Sequence, residues 1–354
     1  MPHPNTPQQP PRRARGPRLA GVLAATALLC GTGLAAGAPA GAASCSGSTG
    51  ARLCAAAGDL LDVRLGDLRP TQETLGFDQI YYKLDRYASS KDEENGDPNK
   101  RFDDYCETNG QDKADKVPGS ATLSDPSSFT CEVDEGDESD DTLAQMKTVV
   151  VGPGGALYLT DGHHSLTSLL ETPDGGPDLH IRLKVQANLS GDSETGFWNT
   201  MERNDWVWLR DENNQPITTA QLPRHLGLSG FHDDRYRSLV YFTRDIGYTA
   251  PDDAAEFLEF LWGTWLRDRV DLDDHDLTDE DDYLDAVRDA SEEMTDADGD
   301  TVIADGHTAK DLGRLDKWND GDDADDGEFD KLGRPLSDDE PGKLAYALDY
   351  RSHL

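Results

Sequence analysis

The amino-acid sequence predicts a mixed α/β (α+β) fold, because strand-like and helix-like segments occur along the same chain. Residues 59–68 and 179–187 alternate apolar and polar side chains, which is typical of strands with one buried face. Residues 77–87 place apolar side chains at helical spacing, and residues 231–263 contain two broad apolar segments that predict two buried helices. These patterns together predict a sheet covered by helices.

A β-hairpin is predicted in the middle of the chain. Residues 147–151 and 156–160 are short apolar runs on either side of a Gly-Pro-Gly-Gly turn. A helix that includes residues 166–170 should follow the hairpin, and a short capped helix is expected over 219–226. The aromatic residues within 197–209 are more typical of a core than of a stacking surface.

The first 43 residues are predicted to be a cleavable secretory signal. Arginines precede an Ala/Leu/Gly/Val-rich run over 19–36, and small residues lead to Ser44. The alternatives are an uncleaved membrane anchor, twin-arginine export, and a lipoprotein cleavage site before Cys45. We expect export by the general secretory route to give an extracellular protein that is not held in a membrane. Residues 44–58 would form a flexible N-terminal segment.

The cysteine content agrees with export. Cys30 lies in the predicted signal, which leaves Cys45, Cys54, Cys106 and Cys131. Four cysteines allow three connectivities, and the local pairing Cys45–Cys54 with Cys106–Cys131 is favoured because each pair is short-range and brackets polar sequence. The alternative of four unpaired thiols conflicts with an oxidising compartment.

Net charge argues against a general nucleic-acid-binding or membrane-binding surface. The formal net charge is −37, and the predicted signal contains arginines but no acidic residue. Its removal would therefore make the chain more negative. Such a surface repels nucleic acids and anionic membranes, so a nucleic-acid substrate would need a local basic site or bridging cations. No basic DNA-binding surface is evident in the sequence.

Acidic and polar residues are concentrated in two predicted regions. Residues 89–142 lack a repeated apolar pattern and predict a polar insertion on the surface, and residues 271–354 predict an acidic C-terminal extension, either packed on the core or partly disordered. Asp296, Asp298 and Asp300 resemble the start of a calcium loop, although a threonine replaces the expected glycine. Weak calcium binding is one interpretation of this turn, and a solvated acidic loop is the other.

The best candidate for chemistry is the string Asp161-Gly162-His163-His164-Ser165, where the predicted hairpin leads into a helix. A helix N-terminus presents free N–H groups and a positive dipole end, which suit a phosphate. The aspartate could cap the helix, the glycine could allow a sharp turn, and two imidazoles can transfer protons near neutral pH. The alternative is a polar turn whose histidines cap the helix or face solvent.

Four motifs in the middle of the chain form a combination that resembles one known superfamily. They are Leu-Arg-Pro-Thr-Gln at 68–72 with Gly76 and Lys83, the Asp-Gly-His-His turn at 161–164, and the runs at 233–239 and 256–262. The combination resembles the ParB/sulfiredoxin superfamily, and within it the branch of ParB-like nucleases. The resemblance implies one domain over residues 59–270, with a small mixed sheet, flanking helices, and a nucleotide or phosphate held where a helix follows the central motif.

The resemblance also implies roles for individual residues. The positions that match nucleotide or phosphate binding are Thr71, Gln72, Lys83, Gly162 and Ser165. Independently of the resemblance, Arg237 in the first of the two later helices could reach into the same site, and a local ion pair is its alternative role. The candidate catalytic residues are Asp161, His163 and His164. One histidine would act as general acid or base, while the other would stabilise negative charge or hold a divalent metal such as Mg²⁺. The cofactor itself stays open.

Three functional hypotheses follow from these patterns. The first is an exported hydrolase, either a nuclease or a nucleotide phosphohydrolase, that uses the histidine pair. The second is a noncatalytic protein that binds a nucleotide or phosphate on the same scaffold. The third is a secreted toxin-like effector. The central motif lacks the reactive cysteine of sulfiredoxins and the arginines of ParB proteins, so neither sulfiredoxin activity nor chromosome partitioning is implied.

Overall fold

A computed structural model describes residues 45–320 and 327–354. The predicted secretory signal, residues 1–43 with Cys30, lies outside the described residues, and its cleavage stays a prediction. Within the described ranges, no helix is both long enough and apolar enough to cross a lipid bilayer.

Five strands form a mixed sheet at the centre of the fold. The strands of the described chain are β1 (Leu60–Arg64), β2 (Leu68–Arg69), β3 (Thr74–Leu75), β4 (Ala114–Lys116), β5 (Thr130–Cys131), β6 (Thr148–Val151), β7 (Leu157–Leu159), β8 (His180–Asn188), β9 (His232–Asp233), β10 (Val302–Ala304) and β11 (His307–Thr308). The sheet order is β1-β8-β6-β7-β2. The pairs β1–β8 and β6–β7 are antiparallel, whereas β6–β8 and β2–β7 are parallel. This mixed sheet confirms the predicted α/β (α+β) class.

The predicted hairpin is confirmed and leads directly to the candidate motif. β6 pairs with β7 from Val149 opposite Leu159 to Val151 opposite Leu157. The connecting turn contains Gly154 at a φ of 71°, in the left-handed region that glycine adopts without strain. Both strands are buried in the middle of the sheet, so the backbone that follows β7 enters the next helix from a fixed position.

Helices surround the sheet and build a second part of the core. They are α1 (Gly47–Cys54), α2 (Phe77–Ala88), α3 (Lys91–Glu94), α4 (Lys100–Thr108), α5 (Asp140–Gln145), α6 (His163–Glu171), α7 (Glu194–Arg203), α8 (Arg235–Phe242), α9 (Leu258–Leu266), α10 (Glu280–Asp296), α11 (Glu328–Leu332) and α12 (Lys343–Ser352). The predicted helix over 77–87 is α2, and the two predicted within 231–263 are α8 and α9. The predicted helix over 219–226 is absent, because this segment forms turns around Pro223, which lacks the N–H that a helix interior needs.

Two disulfides join Cys45 to Cys54 and Cys106 to Cys131, with Cα–Cα distances of 5.6 and 5.7 Å. Both distances lie in the normal range for a disulfide. The local pairing expected from the sequence is therefore confirmed. The second disulfide joins Cys131, which lies beyond the loop after α4, to Cys106, which is fully buried.

Residues 89–142 are more structured than the expected surface excursion. Phe102, Leu123 and Phe129 are buried and join the core that packs on the central sheet. The Phe102 and Phe129 rings contact each other edge to face, with centroids 4.8 Å apart. These apolar residues are too widely separated in sequence to show a helix or strand period, which is why the pattern predicted only polar surface.

The acidic segment after residue 270 also packs on the rest of the fold. α12 lies against α2, where Arg351 forms an ion pair with the buried Asp78. The Tyr283 hydroxyl of α10 donates to the same carboxylate at 2.9 Å. Tyr283 and Leu344 are fully buried in the core that α8 and α9 share. Of the two alternatives for this segment, the described residues show packing.

Candidate functional site

The start of α6 lies in the wall of a pocket of about 200 Å³. The loop after β2, helix α2, the turn before α6, helix α8 and the segment leading into α9 all contribute to it. The polar lining residues are Gln72, Gln79, Lys147, Thr160, Asp161, His163, His164, Ser165, Arg237, Arg244, Glu256 and Glu259. The pocket therefore brings the central sequence motif together with residues from distant parts of the chain.

Both histidines of the motif are buried and accept hydrogen bonds from the backbone. The Thr71 N–H donates to His163 Nε2 at 3.1 Å, and the Gly76 N–H donates to His164 Nε2 at 3.0 Å. Because each Nε2 is an acceptor, each ring is a neutral imidazole with its proton on Nδ1. The histidines thus join the start of α6 to the loop between β2 and α2.

The electrostatics of the pocket keep these imidazoles neutral. Burial lowers the pKa of His163 to about 3, with Asp161 opposing the shift. Burial also lowers the pKa of His164 well below its ordinary value, and the positive charge of Arg237 adds to the effect. A general base needs a free lone pair and a pKa near the working pH. Neither condition holds, so the geometry argues against the acid–base role expected from the sequence.

Asp161 does not cap α6, contrary to the prediction. The N-cap position is Gly162, and no side chain accepts a capping hydrogen bond there. The carboxylate is instead exposed and forms an ion pair with Lys147 at 3.3 Å. Gly162 has a φ of +95°, and a Cβ on it would lie 2.6 Å from Lys147 Cγ. The glycine therefore allows both the sharp turn and the close approach of the lysine.

Substituting Gly162 with alanine is expected to reduce the free energy of unfolding by about 1–3 kcal/mol, because an L-residue is strained at this φ and its Cβ would also collide with Lys147 Cγ. Urea unfolding followed by fluorescence would measure the loss. Gly136→Ala is a matched control, because Gly136 has a φ of +97° with nothing within 4 Å of its added Cβ. An effect no larger than that of the control would show that the contact with Lys147 does not matter.

The N-terminus of α6 has free donors. The backbone N–H groups of His163, His164 and Ser165 donate to no acceptor among the described residues. These groups belong to the first turn of a nine-residue helix, whose dipole favours negative charge at this end. The neutral histidines add no charge of their own, so the anion-binding capacity here comes from N–H groups.

Arg237 brings a buried positive charge to the same pocket. Its side chain is held by α8, where the Asp234 carboxylate accepts hydrogen bonds from the Tyr236 and Arg237 amides. Arg237 is 5% exposed, and its Nη2 lies 3.7 Å from the Glu259 carboxylate. Its Nε and Nη1 are buried without a hydrogen-bond partner among the described residues. The expected alternative, a local ion pair, is therefore present but uses only part of the guanidinium.

Glu259 holds two arginines in this wall. Burial alone would raise its pKa, but the positive charges of Arg237 and Arg244 outweigh burial and lower the pKa to about 2. Arg244 forms a closer ion pair with this carboxylate than Arg237 does. Glu259 is therefore ionised at neutral pH, and its single negative charge is shared by two guanidinium groups.

Lys83 does not line this pocket. It forms a buried ion pair with Asp104 of α4, and the Tyr87 hydroxyl donates to the same carboxylate. Lys100 contacts Asp104 at 3.2 Å. Burial would raise the pKa of Asp104, but Lys83 and Lys100 lower it to about 2. The expected contact of Lys83 with a phosphate is thus replaced by a structural ion pair between two helices.

The remaining predicted residues lie at or next to the pocket. Thr71 Oγ1 donates to the Leu159 carbonyl at 2.7 Å, so it fixes the loop to β7 rather than facing the pocket. Gln72 lines the pocket while its Nε2 donates to the Thr74 carbonyl at 2.7 Å. Ser165 lies in the first turn of α6 and also lines the pocket.

Sequence reasoning missed several residues of this pocket. Gln79, Lys147, Glu256 and Glu259 line it without having been assigned a role. A signal existed for Glu259, because it is the single charged residue in the otherwise apolar run of α9. A charge in such a run is costly unless it is paired, so it predicts a buried partner. Lys147 had no comparable signal.

Metal coordination is not evident in the described ranges. No group of three or more His, Cys, Asp or Glu side chains is arranged there to hold a metal ion. Asp296 is the last residue of α10, and Asp298 and Asp300 follow it in the turn before β10. Calcium binding at this turn stays a prediction.

Comparisons with known proteins give two results and one negative finding. A family model described as "Putative ParB-like nuclease" matches residues 61–268. A crystal structure of protein Atu1540 from Agrobacterium tumefaciens is similar, with 21% sequence identity, a TM-score of 0.44, and coverage of 66% of this chain and 89% of that one. No curated protein matches the sequence.

Proposed function

The chain belongs to the ParB-like nuclease family, whose model covers more than half of it, and we propose that the pocket at the start of α6 binds a phosphate-bearing ligand. The observation that carries this proposal is that two buried nitrogens of Arg237, Nε and Nη1, have no hydrogen-bond partner among the described residues. A buried donor without a partner costs about 1–3 kcal/mol, more when it is charged. An oxyanion in the adjacent pocket would supply the missing acceptors.

The first turn of α6 supports the same ligand. The free N–H groups of His163, His164 and Ser165 line or border the pocket, and a helix N-terminus is a general site for phosphate. Lys147 adds a positive charge that is only partly neutralised by the exposed Asp161. Because the protein as a whole is strongly acidic, an anion is held here by local donors and not by the overall field.

Arg237→Met is expected to weaken binding of inorganic phosphate about 10- to 100-fold, the effect of losing hydrogen bonds to a charged group. Isothermal titration calorimetry on the purified protein would measure it, with Arg224→Met at an exposed position as the control. Arg237→Lys, which keeps the charge with fewer donors, should fall between the two. Equal affinity in all variants would place the anion elsewhere, and absence of phosphate binding in the natural protein would exclude the proposal.

Hydrolysis of a phosphate ester is a second candidate function. It is favoured by the family description and by two carboxylates, Asp161 and Glu256, that line the pocket. The pKa of Glu256 is raised, first by partial desolvation and then by the charge of Asp161, which suits a general acid or base. Two carboxylates with a substrate phosphate can also hold Mg²⁺, which would then be the divalent cofactor.

Activity would be tested with DNA, RNA and nucleoside triphosphates, with and without Mg²⁺. Glu256→Gln is expected to reduce turnover about 10²–10⁴-fold, the usual effect of losing a general acid or base, and Asp161→Asn should weaken the Mg²⁺ dependence. Turnover that survives both substitutions would exclude these carboxylates. Phosphate binding without turnover would leave the binding function alone.

Secretion is part of the proposal. The two disulfides between Cys45, Cys54, Cys106 and Cys131 are the kind of cross-link that persists in oxidising compartments. They support the view that residues 1–43 direct export. A nucleotide or another soluble phosphate compound outside the cell would then be the partner of this pocket.

A further inference from the structure

One wall of the pocket contains a buried acceptor that lacks a donor. Gln79 on α2 is 8% exposed, and its Oε1 has no hydrogen-bond partner among the described residues. Gln79 lines the same pocket as Arg237, whose Nε and Nη1 lack acceptors. Buried polar groups in native proteins are nearly always paired. A ligand that satisfied both residues would accept hydrogen bonds from Arg237 and donate one to Gln79.

Two of the three carboxylates that line the pocket have cationic partners, and the third is Glu256. Glu259 is paired with Arg237 and Arg244, and Asp161 is paired with Lys147. Gln79 Oε1 differs because it is neutral, buried and unpaired. It cannot bind an anion that carries no proton, because two acceptors that face each other without a hydrogen repel.

On the basis of the proposed phosphate-binding function, we infer that the pocket selects a phosphate group that carries a proton. A P–OH group would donate to Gln79 Oε1, while the unprotonated oxygens accept from Arg237 and from the N–H groups of α6. Inorganic phosphate and phosphate monoesters retain such a proton near a pH of about 6, because the second pKa of a monoester is about 6 and that of inorganic phosphate is higher. Sulfate and phosphodiesters have no proton to donate at this pH.

This selectivity has a consequence for the substrate class. The internal linkages of DNA and RNA are phosphodiesters, so they cannot satisfy Gln79. A terminal phosphate monoester, as in a 5′-mononucleotide or at the end of a strand, can. The pocket is therefore suited to a terminal phosphate group and would discriminate against the interior of a nucleic acid, in agreement with the acidity of the chain.

Four small anions test the inference by calorimetry at pH 6: inorganic phosphate, methyl phosphate, dimethyl phosphate and sulfate. Dimethyl phosphate matches the single negative charge of the dihydrogen phosphate ion but lacks its two protons. We expect phosphate and methyl phosphate to bind at least about tenfold more tightly than dimethyl phosphate and sulfate, the effect of one hydrogen bond to a charged group. Binding of all four within about threefold would overturn the selectivity and leave the phosphate site standing. No binding of any of them would overturn both proposals.

Gln79→Met removes the acceptor at similar volume, with Gln145→Met at an exposed position as the control. The methionine variant is expected to lose its preference for phosphate over sulfate, whereas the control should keep it. An unchanged preference in Gln79→Met would overturn the assignment to this oxygen. If Gln79→Met does not fold, as judged by circular dichroism, the comparison of the four anions on the natural protein still decides the inference.

Discussion

Acidification from pH 6.5 to 4.5 is expected to remove roughly 2–3 kcal/mol of unfolding free energy through His163 alone, and His164 adds a loss of the same sign. Both imidazoles are buried, and each Nε2 accepts a backbone N–H. In the unfolded chain each histidine takes up a proton below a pH of about 6.5. In the folded protein the pKa of His163 is about 3, and that of His164 is also well below its ordinary value.

The sign of the effect follows from these directions. A lowered pKa in the folded state means that the unfolded state binds more protons, so stability decreases as the pH falls. The contribution of each histidine is fully present above its unfolded pKa and is lost between that value and its folded pKa. Each unit of pH in this window changes the free energy of unfolding by about 1.36 kcal/mol per histidine.

The double variant His163→Gln/His164→Gln isolates this contribution. Glutamine can present an oxygen near the position of Nε2, so the two backbone N–H groups keep an acceptor, but it does not titrate. Urea unfolding at several pH values should show that the natural protein loses its advantage over the variant on acidification. His225→Gln, at an exposed position, is the control, and parallel stability curves for the natural protein and the double variant would contradict the prediction.

The comparison with the variant is needed because the titration of some carboxylates changes stability with pH in the opposite direction to that of the histidines. The pKa of Asp85 is raised to about 6, first by burial and then by the charge of Asp349. A raised carboxylate pKa increases stability as the pH falls from about 6 toward the ordinary value of Asp. The slope of the natural protein alone would mix the two effects, whereas the difference between the curves contains only the histidines.

The fold could be predicted from the sequence where one period extends over a whole element. β8 alternates clearly, α2 has helical spacing, and the Gly-Pro-Gly-Gly turn fixes the hairpin that places α6. Residues 89–142 could not be read in this way. Their buried positions, Phe102 and Phe129 among them, are brought together by a disulfide and by packing on the sheet, and neither leaves a local period.

The position of the site could be predicted, but the roles of its residues could not. A histidine pair at a strand–helix junction suggests proton transfer. The sequence did not show that both rings accept hydrogen bonds from the backbone, because those partners are about ninety residues away in sequence. Those separations are 92 residues for His163 and 88 for His164. Arg237 and Gln79 enter the pocket through tertiary packing of α8 and α2. Local patterns carry no information about such contacts, so they identified the turn and missed the acceptor beside it.

Lys83 was predicted to bind phosphate, but tertiary packing pairs it with Asp104 instead. Breaking this ion pair should have a large effect on stability. Asp104→Leu is expected to reduce the free energy of unfolding by about 3–5 kcal/mol, the usual effect of breaking a buried ion pair. The substitution would leave the mostly buried ammonium of Lys83, with a side-chain exposure of 12%, without its carboxylate. It would also remove the acceptor of the Tyr87 hydroxyl.

The double variant Asp104→Leu/Lys83→Met distinguishes a structural ion pair from a ligand-binding lysine. Replacing both partners by apolar side chains should restore more than half of the lost stability, because the ammonium of Lys83 is removed with its carboxylate and Lys100 keeps Glu107 at 3.3 Å. Its affinity for inorganic phosphate should stay within about threefold of that of the natural protein, since Lys83 does not line the pocket. Loss of phosphate binding in a variant that unfolds normally would show that Lys83 belongs to the binding site.

The pH dependence of stability gives a further check on this ion pair. The pKa of Asp104 is lowered to about 2, so its stabilising effect should be fully present above the ordinary pKa of Asp and be lost as the pH falls through 2.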